Sequence, residues 1–145
     1  MNFRYPIING ENWKIREIED ASNKEHKRFR ANLYIQNFNK KEDVVKIVES
    51  ALSDLKDAEN PPSPEMKIKH GSMPADAIYL KVYSKQSRRK HRIISSKNPN
   101  FLCLVESHCE RCPQLRNGGI PKHIWDELEK EEYNNMKFAW NPNIR

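Results

Sequence analysis

Between Lys41 and Ala58, apolar residues fall at Val44, Ile47, Val48, Ala51, Leu52 and Leu55. That i, i+3, i+4, i+7 spacing makes one stripe on a helix. The pattern predicts an amphipathic helix over 41–58. Asn39 and Glu42 look like a capping box at its start, and the run ENPPSP at 59–64 stops it.

A period of two governs the flanking segments. In RANLYIQNF (30–38), Leu33 and Ile35 share one side, while Tyr34, Gln36 and Phe38 share the other. In DAIYLKVYSK (76–85), Ile78, Leu80 and Val82 oppose Tyr79, Lys81 and Tyr83. Both read as strands, the second with a basic-aromatic outer face. HRIIS (91–95) reads as a short strand forming a hairpin with 78–84. NFLCLVE (100–106) is an unbroken apolar run, the mark of a central strand.

At the N-terminus, residues 1–30 read as an extension or a hairpin with Asn9-Gly10 at its turn, followed by a short helix or charged loop over 21–31. At the other end, residues 121–134 read as a helix with Pro121 in its first turn and Ile124, Trp125 and Leu128 facing inward. The tail 135–145 alternates at Phe138 and Trp140, so it is either an added edge strand or a docking tail.

The expected fold is a single α+β domain over 1–145. It has a mixed sheet of about four to five strands in β-α-β-β-β order, covered by one amphipathic helix, plus a C-terminal helix. If the strands flanking the first helix run parallel, that crossover should be right-handed.

Composition narrows the class. The chain has 145 residues, 37% hydrophobic and 32% charged, with nine prolines against four glycines. It is long enough to bury a core without a staple. No apolar run approaches the ~18 residues of a membrane span, and the first residues lack a signal-peptide pattern. Three cysteines is an odd number, which argues against a disulfide framework. The expected location is a reducing intracellular compartment, cytoplasm or nucleus, with no membrane association.

Charge placement changes the picture most. The net charge is +6, and residues 77–106 alone carry seven cations against the single acid Glu106. Lys81, Lys85, Arg88, Arg89, Lys90, Arg92 and Lys97 lie there, with Tyr83 and His91 among them. A projecting ribbon of this kind suits phosphate contact, because each neutralised phosphate releases counterions, and arginine adds bidentate hydrogen bonds. Tyr79 and Tyr83 are candidates to stack unpaired bases. The expected function is a basic binding module that contacts nucleic acid through a hairpin at residues 81–97. The alternative is a protein-interaction or regulatory module that meets an acidic partner surface by the same steering. A third reading is a small metal-independent ribonuclease with His91 as general base or acid. The ordinary reading of such a run is a solvated edge loop.

No cofactor is expected. Cys109-x2-Cys112 is half a zinc knuckle, and Cys103, Cys109, Cys112 and His123 make a candidate zinc set. The competing account takes Cys103 as a core hydrophobe and the other two as reduced thiols. A redox dithiol is disfavoured by Pro113, which opposes a helical start at Cys112. Asp76, Lys81 and Glu106 match no compact metal-nuclease spacing, and no phosphate-binding glycine loop or nucleophile elbow is present.

Overall fold

The computed structural model describes residues 8–20, 28–56, 77–84, 93–108, 122–133 and 136–143. Its elements run β1 (Ile8–Gly10), β2 (Trp13–Asp20), β3 (Arg28–Ile35), α1 (Lys41–Lys56), β4 (Ala77–Tyr83), β5 (Phe101–His108), α2 (Lys122–Glu127), β6 (Glu129–Tyr133) and β7 (Met136–Trp140). The strands form one seven-stranded sheet in the order β1-β2-β3-β4-β5-β7-β6. Strands β3 and β4, on either side of α1, are parallel; every other pair is antiparallel.

The α+β class holds, with seven strands rather than four to five and a different order. Two differences have clear causes. Residues 129–133 were expected to continue the last helix, because Glu and Lys are good helix formers. Instead α2 stops at Glu127, and β6 pairs antiparallel with β7. The tail is therefore an interior strand between β5 and β6, not an edge. The segment 91–95 supplies no strand over its described residues 93–95, so β4 pairs with β5 instead.

The N-terminal hairpin exists, but its turn is Glu11-Asn12 rather than Asn9-Gly10. Gly10 serves a close approach: a Cβ there would lie 2.0 Å from Cε2 of Trp13. Asn12 takes the left-handed turn position at φ 68°, which asparagine tolerates better than most residues. Its side-chain oxygen accepts from Asn37 Nδ2 at 2.8 Å, and its backbone oxygen accepts from Gln36 N at 2.9 Å. Asn37 is also left-handed, at φ 58°. The hairpin tip is thus tied to the chain leaving β3.

Helix α1 starts at Lys41 as expected, but its first turn is capped differently. The Asp43 carboxylate, not Glu42, accepts from the backbone N of Asn39 (3.0 Å) and Lys40 (3.3 Å). The Asn39 bond leads in holding its carboxyl below the ordinary 3.8. Its stabilising effect is therefore present above that pH and fades as pH falls below it.

Val44, Val48, Ala51, Leu52 and Leu55 of α1 are buried against one sheet face. That face supplies Ile15, Phe29, Leu33, Ile35, Ile78, Leu80, Val82, Cys103, Val105, Phe138 and Trp140. Each large side chain fully buried here is worth about 1.5–3 kcal/mol. Lys41 at the start of α1 reaches Glu129 (3.7 Å) and Glu131 (3.6 Å) and lies 5.1 Å over the Trp140 ring. Glu131 also accepts from the Tyr133 hydroxyl, which pushes that phenol up to about 12.

A second, smaller cluster sits on the opposite face: Tyr34, Tyr83, Phe101, Leu104, Leu128 and Ala139, with Trp125 of α2 and Ile94 packed against it. Strand β5 is thus covered on both sides, which explains its unbroken apolar run.

Candidate nucleic-acid interface

Antiparallel pairing of β4 with β5 makes the 84–100 segment a connection that leaves and re-enters the same end of the sheet. It holds the basic cluster. Its centre (Lys85, Arg88, Arg89, Lys90, His91 and Arg92) lies outside the described residues, while Lys81, Tyr83 and Lys97 lie within them.

Both ends of that centre are fixed. Ser84 N donates to Asn100 O at 2.8 Å, and Ser84 Oγ donates to Asn100 Oδ1 at 3.3 Å. On the return side, Asn98 Nδ2 donates to Ile93 O at 2.7 Å, and Lys97 N donates to Ser95 Oγ at 3.1 Å. Asparagines suit such a turn because the side chain bonds the neighbouring backbone.

The end of β7 clamps this turn from the side. Asn141 is fully buried. Its Nδ2 donates to Phe101 O (3.0 Å) and Asn98 O (3.3 Å), and its Oδ1 accepts from Asn143 N (3.0 Å). Asn143 Nδ2 then donates to Ser96 O at 2.6 Å. The described ends of the connection, Ser84 and 93–100, are held this way and lose little further freedom when a ligand is met.

The tyrosines do not offer open rings for base stacking. Tyr83 is 1% exposed and Tyr79 is 6% exposed. Tyr83 instead stacks on Tyr34 (centroids 5.6 Å apart, 24° between planes) and tilts against Phe101. The side assignment from alternation is right for Tyr83, but the second cluster fills the space around its ring.

Lys81 is half-buried on this face and Lys97 is exposed in the turn. Among the described residues, no carboxylate pairs with either. The sequence reading missed further cations on the same face. Lys14 and Arg16 of β2 stand beside Tyr34 and Asn32 of β3, and Arg30 of β3 stands beside Tyr79. Lys14 and Arg30 are exposed, and Arg16 is half-buried. Their signal was present as alternation, Trp13-Lys14-Ile15-Arg16 and Arg28-Phe29-Arg30-Ala31, but strand pairing was needed to bring them together.

The candidate zinc set is not assembled among the described residues. Cys103 points into the core under α1 and is 0% exposed. His123 is exposed on α2, whose Trp125 packs against the other face of the sheet. Cys109 and Cys112 lie outside the described residues, and among those described no three metal-binding side chains cluster. Burial pushes the Cys103 thiol well above its ordinary 9.0. In a Cys109→Ser/Cys112→Ser background, Cys103 should therefore resist a disulfide-exchange reagent at neutral pH until denaturant is added. Prompt reaction of the native protein would show that this part of the core opens readily.

Among the described residues no helix is long and apolar enough to cross a membrane. An open groove of about 680 Å³ lies between the β1–β2 turn and α1, lined by Glu11, Trp13, Lys46, Glu49 and Asp54 among others; its charges are mixed and it converges on no single chemistry. Comparison with known protein families, with curated proteins and with solved structures gives no match for this chain.

Proposed function

We propose that this chain is a non-enzymatic nucleic-acid-binding module whose contact is residues 81–97, the end of β4 and most of the β4–β5 connection, with Arg88, Arg89, Lys90 and Arg92 at its centre. One observation carries the reading. A segment with seven cations and no acid springs from a base fixed by Ser84, Asn98, Asn100, Asn141 and Asn143. Cations gathered on a fixed base attract a polyanion because its phosphates replace the missing internal counter-charges.

The test is oligonucleotide affinity as a function of salt. Wild type should bind with an affinity that falls linearly in a log–log plot. Neutralising Arg88, Arg89 and Arg92 together to glutamine should flatten the slope by about three units and weaken binding at low salt by about a hundredfold or more. Thermal stability should change little, since surface substitutions usually stay within about 0.5 kcal/mol. No wild-type binding at low salt would end the proposal.

One observation favours a second reading. Ile93, beside the cations, is 56% exposed, and an exposed aliphatic side chain next to positive charge also suits an acidic protein partner. Ile93→Ser would weaken that association while leaving oligonucleotide binding unchanged.

A further inference from the structure

Strand register lays out the cations of the open face in rows. Lys14 shares a row with Tyr34 and Tyr83; Arg16 shares the next with Asn32 and Lys81; Arg30 shares the one after with Tyr79. The first row adjoins the β4–β5 connection, and the others lead away from it along the strands. Successive rows on one face are two residues apart, about 6.6 Å, so Lys14 to Arg30 spans about 13 Å. Among the described residues no carboxylate pairs with Lys14, Arg16, Lys81 or Arg30. Arg16 Nη1 donates to Asn9 Oδ1 (3.0 Å) and Ile15 O (2.9 Å), which holds its guanidinium on the sheet. Acids also lie on this face: Glu17 accepts from the Tyr34 hydroxyl at 3.2 Å and from Asn32 Nδ2 at 3.4 Å, while Glu19 stands opposite Arg30 and the buried Glu106 opposite Tyr79.

We infer that Lys14, Arg16, Lys81 and Arg30 form a track of phosphate contacts that continues from the β4–β5 connection across β2–β4, and that its ligand is the backbone of a nucleic-acid duplex. The inference rests on the reading above and deepens it by naming the ligand class. Charge complementarity selects a polyanion. The choice of duplex over single strand comes from the rings. Non-specific single-strand binders gain about 1–3 kcal/mol per base from stacking on open aromatic faces. On this face Tyr34, Tyr79 and Tyr83 are 4%, 6% and 1% exposed, so the accessible chemistry is charge and hydrogen bonding to phosphate. A duplex presents that along its outside, with phosphates at about 3.4 Å rise per strand. The track therefore covers about four base-pair steps.

The experiment uses the full chain, a short mixed-sequence duplex and each of its separated strands. Wild type should bind the duplex at least about tenfold more tightly than either strand. Lys14→Gln/Arg30→Gln should weaken duplex binding about tenfold or more and flatten the log–log salt slope by about two units. These two side chains are exposed, so the variant should fold; adding Arg16→Gln extends the effect by one unit more. Lys46→Gln, on the exposed side of α1 away from this face, should change neither quantity. A wild type that binds while the double variant keeps both its affinity and slope overturns the track. Single strands bound as tightly as the duplex overturn the ligand assignment. A wild type that binds neither removes the parent reading, and this extension falls with it.

Discussion

Asn141→Ala should cost about 1–3 kcal/mol of folding stability, because buried Phe101 O loses the amide donor, while Asn98 O keeps the Phe101 N–H at 3.1 Å. The acceptors are Phe101 O and Asn98 O, and the side chain that serves them is fully buried. The cost should reach function as well, since the same amide holds the turn from which the basic connection leaves. Asn141→Asp preserves shape but removes the Nδ2 donor and adds a charge where water is excluded, so it should be at least as harmful. Asn143→Ala, on an exposed side chain, should cost about 1 kcal/mol or less. Urea unfolding gives the stability, and oligonucleotide titration well below the unfolding midpoint gives the affinity. A destabilised Asn141→Ala protein with wild-type affinity would make the clamp structural and nothing more.

Trp140→Ala should cost about 3–5 kcal/mol, the range for emptying an aromatic site in a packed core. The indole is 0% exposed, stacks on Phe138 at 5.2 Å and 11°, and lies under the Lys41 ammonium. Its removal takes ring packing and a cation contact together. Trp140→Phe is the informative comparison. The Trp140 Nε1–H is buried and finds no acceptor among the described residues. Such a donor carries a desolvation cost of about 1–3 kcal/mol, which phenylalanine does not bear. Phenylalanine should therefore recover most of the loss, despite its smaller volume. Equal damage from both substitutions would show that indole shape outweighs the stranded N–H.

Much of the fold is legible in the sequence wherever one side chain period is enforced by burial. The α1 stripe, the alternation of β4 and the apolar run of β5 are of this kind. β6 was not legible. EKEEY has the composition of an exposed helix and low strand propensity. It becomes a strand because Met136–Trp140, seven to eleven residues downstream of its start, offers a strand to pair with, which the composition of the segment does not register. Asn9-Gly10 misled for a different reason: a common turn dipeptide was used to seat an indole. For the candidate site, charge counting located the basic connection but nothing of its support. Asn141 lies 40 or more residues from the carbonyls it bonds, and Lys14 joins Lys81 only through the pairing of β2 with β3 and of β3 with β4.

The two margins of the sheet bear on how copies of this chain behave when crowded. One margin is β1, three residues long; the other is β6, where Glu129, Lys130 and Glu132 are exposed. Brevity on one side and ionised groups on the other both oppose the docking of a strand from a second molecule. Several molecules drawn to one long polyanion would be held at high local concentration. Blunted margins let them sit side by side without fusing into a shared, growing ribbon.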